Sequence, residues 1–216
     1  MKTEMRTIKA GMNWRLASRL SVITFAILVI IVVTVIQQHN SAGIPNGSSL
    51  QGTDLAGAPA PNFRLTDQSG NQISLQQFKG KPVVLTFLYT HCPDVCPLTA
   101  EHLHSTMLEL GKDAHNVGVL AISTDPKRDD VAAALNFSQQ HQMTDYWHYL
   151  IGTQQQLSPV WSNYSIYAQA QQQNINHSMA IFVIDKQGHE RVFLSSNDFT
   201  PAQLTADLQI LLKEQA

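Results

Sequence analysis

The only two cysteines of this 216-residue chain, Cys92 and Cys96, stand four positions apart in the stretch HCPDVCP, residues 91–97. An apolar run, 83–89, precedes them and a helical pattern, 98–110, follows. A strand that enters a helix through this turn brings both sulfurs to a helix N-terminus, where unpaired N–H groups and the helix dipole favour thiolates. If the first turn is helical, residues four apart share one face, with Cβ atoms about 5–6 Å apart. Such a pair can close a disulfide or bind one soft metal ion.

The spacing of the two cysteines bears on this choice without closing it. A structural disulfide across so short a loop removes little entropy from the unfolded chain. Dithiol oxidoreductases usually carry C-x-x-C, so three intervening residues favour a metal over redox chemistry alone. Two cysteines are too few for a disulfide scaffold, although they suit an oxidising compartment.

The N-terminal region has the pattern of a membrane anchor. Residues 1–19 hold five of the 14 Lys and Arg residues and one of the 16 Asp and Glu residues, and residues 20–38 carry no charge and are mostly apolar. A basic segment before an apolar span predicts a cytoplasmic tail, a transmembrane helix and export of the remainder. A cleaved signal peptide, the alternative, has a shorter apolar core and a small-residue cleavage site. Residues 39–59, rich in Gly, Ser, Asn and Gln, predict a flexible linker.

The remaining residues, 60–216, are expected to form one exported domain. Beyond residue 19 the chain has nine basic and fifteen acidic residues, a net charge of −6, with no basic patch. This excludes nucleic acid as a partner. The tail does not resemble an organelle transit peptide, so we expect a single-pass protein of a bacterial inner membrane with its C-terminal domain in the periplasm.

The order of predicted elements indicates an α/β fold. A turn cluster at 67–71 lies between two short strands and predicts an N-terminal β-hairpin. Beyond it, buried strands alternate with amphipathic helices, which is typical of a mostly parallel sheet, and a second hairpin and a helix that opens at Thr200 complete the domain. A Gln- and Asn-rich stretch, 169–176, is expected to be a loop. Cysteines between the first long strand and the next helix occupy the position of the redox pair in a thioredoxin-like fold.

Several motifs give the chain a closer resemblance. Together with the membrane anchor, the sequence resembles the Sco/SenC family over residues 60–216. The shared motifs are FRLTDQSG at 63–70, FKGKP at 78–82, THCPDVCP at 90–97, STDPKRD at 123–129, and NHS at 176–178.

The resemblance implies a thioredoxin-like fold and a copper site formed by Cys92, Cys96 and His177. Two thiolates and an imidazole suit Cu(I) and can also hold Cu(II), whereas structural zinc prefers a fourth ligand. The family usually has Asp before the ligand histidine, and this chain has Asn176, which can form a hydrogen bond but carries no charge.

Other candidate residues receive weaker interpretations. His91 is expected to point away from the metal, and His102 and His104 to be solvated. Met179 is a possible soft ligand, with core packing favoured. Asp94 and Asp125 are candidates for supporting the metal ligands or capping loops.

The family implies a copper chaperone rather than an enzyme. Its expected partners are subunit II of cytochrome c oxidase, which would receive the copper, membrane lipid at the anchor, and a thiol reductant or upstream copper donor. The alternative is a thiol-disulfide oxidoreductase that reduces the oxidase copper-site cysteines with Cys92 and Cys96. A peroxidase of the peroxiredoxin type is disfavoured because no Pro-x3-Thr-x2-Cys arrangement precedes Cys92.

Overall fold

The computed structural model describes residues 29–30, 49–171, 174–178 and 180–215, with the backbone alone for 170, 171 and 174–177. The chain divides into two compact units, 1–48 and 49–216. In the first, only Val29 and Ile30 are described, and both are helical and exposed. The rest of the predicted anchor, 20–38, lies outside the described residues. Within the described ranges no helix has the length and apolar character needed to cross a bilayer.

The second unit is an α/β fold of ten described strands and four described α-helices, with two 3₁₀ segments, Leu75–Phe78 and Gly111–Asn116. The strands are β1 Thr53–Pro59, β2 Arg64–Thr66, β3 Gln72–Ser74, β4 Val83–Leu88, β5 Gly118–Ser123, β6 His148–Leu150, β7 Ala168–Gln171, β8 Asn174–His177, β9 Ile181–Ile184 and β10 His189–Leu194. The helices are α1 Val95–Leu110, α2 Val131–Gln140, α3 Gln154–Asn163 and α4 Pro201–Lys213.

Six of these strands form the central sheet, in the order β1-β10-β9-β4-β5-β6. β4, β5 and β6 are parallel, and β9, β10 and β1 add antiparallel pairings at the β4 side. Every residue of β4 and β5 is buried, as expected of parallel strands covered on both faces. This confirms the α/β architecture with a parallel centre.

Each face of the sheet packs its own apolar core. Alternate residues of β4 separate the two: Val84 and Leu88 face a core with α1, α2 and α4, and Leu85 and Phe87 face a core with α3 and the β2–β3 hairpin. The first core includes Cys96, so the helix that carries the second cysteine is held by apolar packing along its length.

The predicted turns and caps agree with the structure where it describes them. β2 and β3 pair around residues 67–71, where Asp67 Oδ1 accepts from Ser69 N–H at 2.9 Å and from Asn71 N–H at 2.8 Å. The Thr200 side chain caps α4 in a capping box with Gln203.

Three expectations were wrong. Residues Thr53–Pro59, within the predicted linker, form β1 and pair with β10, so ordered structure begins before residue 60. The expected loop at 169–176 instead forms most of β7 and β8, an antiparallel pair in which Ala168 lies opposite His177. α1 starts at Val95 rather than 98, and Cys92 lies before the helix, so the two cysteines do not share a helical face.

Candidate dithiol site

The two cysteines lie in the connection between β4 and α1. β4 ends at Leu88, Asp94 occupies the N-cap position of α1, and Cys96 is the second residue of that helix. Cys92 precedes the helix in a turn closed by its own N–H, which donates to the Tyr89 carbonyl at 3.2 Å. Cys92 is 7% exposed and Cys96 is fully buried, and no disulfide joins them.

The sulfur of Cys92 accepts hydrogen bonds from several directions. The Cys96 thiol donates to it, and the backbone N–H groups of Asp94 and Cys96 donate as well, the second at 3.4 Å. The Tyr89 hydroxyl is a further donor. The hydrogen bond from Cys96 is the strongest influence, and together these donors outweigh burial and lower the pKa of Cys92 to about 5.

Cys96 behaves in the opposite way. Burial raises its pKa strongly, and the hydrogen bond to Cys92 and the negative charge on that sulfur raise it further. At neutral pH the pair therefore holds one proton, which lies on Cys96 and is shared with the Cys92 thiolate. Thiolates are the metal-binding and nucleophilic form of cysteine, so one of the two sulfurs is already in its reactive form.

His177, the predicted third ligand, is the last residue of β8. Its side chain lies outside the described set, so its distance from the sulfurs stays a prediction. The backbone topology bears on that distance: Thr86 in β4 is paired with Ile181 in β9, and the Thr86 hydroxyl donates to the Ala180 carbonyl at 3.0 Å. Ala180, three residues after β8, thus lies beside β4 near the carboxyl end of that strand, where β4 leads into the cysteine turn.

The described side chains contain no group of three or more His, Cys, Asp and Glu residues that could hold a metal ion. Within them, the dithiol is the site whose chemistry suits a soft metal, since it offers two sulfur atoms linked by a hydrogen bond, one of them anionic. The two cysteines alone can hold copper at low coordination or form a disulfide.

The other sequence candidates lie around the turn and on α1. Asp94 donates its backbone N–H to the Cys92 sulfur, but its side chain makes no cap bond to α1. Asp125 closes the loop after β5, where its carbonyl accepts from Asp129 N–H at 2.9 Å and its carboxylate pairs with Arg128. The expectation that His102 and His104 are solvated was wrong, because both are half-buried against aromatic rings, Phe199 and Tyr146 respectively. Met179 lies outside the described residues.

Two residues of the site escaped sequence reasoning. Tyr89 ends the apolar run 83–89, and its hydroxyl reaches Cys92. Asp129 is the last residue of the motif at 123–129, and its carboxylate is buried and bonded to Thr90, two residues before Cys92. The signal for Asp129 was its position just beyond the carboxyl end of a buried strand, where α/β proteins place their functional groups.

The mixed sheet, its covering helices and a dithiol between β4 and α1 define a thioredoxin-like protein. The chain belongs to the SCO1/SenC family, whose sequence model matches residues 52–213. This confirms the resemblance drawn from the motifs.

Known proteins of the family resemble the chain in both sequence and structure. The structure of Bradyrhizobium japonicum ScoI with copper bound is 31% identical, with a TM-score of 0.65 over 72% of this chain and 100% of that one. Apo Sco1 of Thermus thermophilus is 28% identical, with a TM-score of 0.67 over 78% of this chain and 100% of that one. The mitochondrial SCO2 homolog of Mus musculus is 33% identical over 59% of this chain and 52% of its own length. The chain thus spans about half the length of the curated relatives it matches.

Proposed function

We propose that this protein is a membrane-tethered copper chaperone that presents copper to subunit II of cytochrome c oxidase. Copper would be held by Cys92, Cys96 and His177, on the periplasmic side of a bacterial inner membrane. In this proposal copper is the cargo, and the protein does not turn over a substrate as an enzyme does.

One observation carries the copper proposal: the two cysteines are buried, no disulfide joins them, and one of the two sulfurs is ionised. The chain also has the fold of a family that includes a copper-bound ScoI. A thiolate beside a thiol is a soft donor pair that favours Cu(I). A site with few ligands at the end of a strand leaves room for a partner's ligands to enter and exchange the metal. The family relation supports the oxidase as recipient, since a solved relative is described as a member of the Sco family of cytochrome c oxidase assembly proteins.

A second function is favoured by the unequal pKa values of the two cysteines. A low-pKa thiolate beside a buried thiol is the arrangement of a dithiol reductant. Cys92 would attack a partner disulfide and form a mixed disulfide, releasing one partner thiolate. Cys96 would then lose its proton and attack the Cys92 sulfur, releasing the second partner thiolate. Two electrons pass to the partner, and a Cys92–Cys96 disulfide remains.

The substitution His177→Ala separates the two functions. Copper delivery by the proposed site needs the imidazole, whereas disulfide exchange needs only the sulfurs. The variant should lose the thiolate-to-Cu(II) absorption and should fail to mature the oxidase in cells grown at low copper, because Cu(II) gains more from an imidazole than Cu(I) does. Its two cysteines should still form and break their disulfide.

The matched control is His104→Ala on α1, which removes an imidazole that packs against Tyr146 and that we assign no part in copper binding. This variant should mature the oxidase normally at every copper level. If His177→Ala also matured it normally at every copper level, copper delivery would be the wrong function and the reductase would replace it.

A further inference from the structure

The carboxylate of Asp129 is buried, only 5% exposed, and accepts four hydrogen bonds. Oδ1 accepts from the Thr90 N–H at 3.1 Å and from the Thr90 hydroxyl at 2.7 Å. Oδ2 accepts from the Ser123 hydroxyl at 2.6 Å and from the Tyr149 hydroxyl at 3.0 Å. One carboxylate thus joins the ends of β4 and β5 to β6.

The strands that this network joins are already paired with one another. Burying a carboxylate is unfavourable unless hydrogen bonds replace its water. β5 and β6 are already paired along Leu120–Ile122, and β4 and β5 along the full length of both strands. Thr90, in contrast, lies beyond the last paired residue of β4. Among the contacts of this network, the one that strand pairing does not already make is therefore the fixation of Thr90, the residue from which the cysteine turn departs.

The same network reaches the neighbour of the first cysteine. The Thr90 hydroxyl lies 2.9 Å from Nδ1 of His91, an exposed residue. A threonine hydroxyl has one proton, and here it is donated to Asp129, so the hydroxyl oxygen accepts from Nδ1–H of His91. The neutral His91 ring then keeps its lone pair on Nε2, because a histidine tautomer is set by the hydrogen bond that its other nitrogen makes.

We propose that Asp129 is a positioning residue for the copper-binding turn, and that it acts through Thr90 to fix the backbone entering Cys92 and the tautomer of His91. The inference rests on the copper-binding function proposed above. Asp129 holds the start of the turn and the N-terminus of α1 holds its end, so the two sulfurs are fixed from both sides. Partners of this kind beyond the ligands orient the ligands of metal sites.

The test compares Thr90→Val, which loses the hydroxyl but keeps the shape, with Thr90→Ser, which keeps the hydroxyl. The full-length protein is loaded with Cu(II), and its thiolate charge-transfer absorption, its EPR spectrum and its rate of copper loss to a chelator are measured. Thr90→Val should shift both spectra and lose copper about tenfold faster, whereas Thr90→Ser should match the wild type. Asp129→Asn should shift both spectra in the same direction as Thr90→Val, and the effect of the double variant should be smaller than the sum of the two single effects, because the two side chains share a hydrogen bond.

A matched control excludes a general effect of losing a threonine hydroxyl. Thr106→Val removes a buried hydroxyl that bonds the His102 carbonyl at 2.9 Å, in the second half of α1. It should leave both spectra unchanged. The ¹⁵N NMR spectrum of the His91 side chain tests the proposal without copper, because it reports which ring nitrogen carries the proton. In the Thr90→Val variant, His91 should lose its preference for the Nδ1–H tautomer.

The outcomes separate this inference from the function on which it rests. If the wild type binds no copper, the copper function is wrong and this inference is overturned with it. If the wild type binds copper but Thr90→Val matches Thr90→Ser in spectra, copper loss and His91 tautomer, only the role of Asp129 is overturned. An equal spectral shift in Thr106→Val would likewise refute it, even if Asp129→Asn did not fold.

Discussion

The ionisation of Cys92 can be tested through its rate of alkylation in the reduced, copper-free protein. With a pKa of about 5, this thiol is about 99% ionised at pH 7 and about 90% at pH 6. A thiol with the ordinary pKa of 9.0 would be about 1% and 0.1% ionised. Iodoacetamide reacts with the thiolate, so the alkylation rate of Cys92 should be nearly constant between pH 6 and pH 8. An ordinary cysteine would react about a hundredfold faster at pH 8 than at pH 6.

The substitution Cys96→Ala tests the cause of the low pKa. The Cys96 thiol is the largest influence that lowers the pKa of Cys92, so its removal should raise that pKa and move the alkylation profile to higher pH. Tyr89→Phe removes a weaker hydrogen bond to the same sulfur and should move the profile less. Each profile is normalised to its plateau, because thiolates of lower pKa are intrinsically weaker nucleophiles.

Peptide mapping of the alkylated protein identifies the residue that reacts. Cys92 should be modified first and Cys96 should stay unmodified up to pH 8, because burial holds the Cys96 proton. The reasoning would be refuted by a wild-type rate that rises about tenfold for each pH unit between 6 and 8. It would also be refuted if Cys96 reacted before Cys92.

Two further predictions concern the stability of the domain. Burial raises the pKa of Asp207 from 3.8 to about 6, so the folded state binds this proton more tightly than the unfolded state, and stability falls as pH rises from 4 to above 6. Asp207→Asn keeps an acceptor for the Gln51 N–H and should raise the free energy of unfolding by up to about 3 kcal/mol at pH 7, with little gain at pH 3. The free energy of unfolding is measured by urea titration at both pH values, and equal gains at the two would contradict this prediction. Gly52 has φ of +105° and its added Cβ would lie 2.7 Å from the Phe193 carbonyl oxygen, so Gly52→Ala should cost about 1–3 kcal/mol. Gly57→Ala, at φ of +71° in open space, should cost less, and equal unfolding midpoints for the two would count against a tightly packed start of β1.

The central sheet could be predicted because its signals are local. The apolar run at 83–89 became β4, the helical pattern at 98–110 lies within α1, and Thr200 marked the start of the last helix in the expected place. β1 was missed because its residues, TDLAGAP, have no alternating pattern, and its pairing with β10 depends on a strand more than 130 residues later. β7 and β8 were missed because Gln and Asn favour loops, whereas the backbone pairing between Ala168 and His177 overrides that preference.

The site could be predicted in its chemistry but not in its electrostatics. The spacing of the cysteines indicated two sulfurs close together at a helix N-terminus, and the Cys96 N–H does reach Cys92 at 3.4 Å. Which cysteine becomes the thiolate depends on the hydrogen bonds that the Cys92 sulfur accepts and on the burial of Cys96. The contributions of Tyr89 and Asp129 depend on side chains that meet only after the sheet has formed, so no spacing along the chain reveals them.

The unequal protonation of the two cysteines links the two candidate functions. A copper ion held by both sulfurs must displace the proton of Cys96, and so must the closure of a disulfide with Cys92. Because Cys92 has already lost its proton at neutral pH, each process releases one proton rather than two. Copper binding and disulfide formation therefore compete for the same two sulfurs in the same protonation state. A copper ion bound to both sulfurs would block the attack of Cys92 on a partner disulfide. The protein would act as a reductant only while it carries no copper, which would place reduction of the recipient's cysteines before the delivery of the metal.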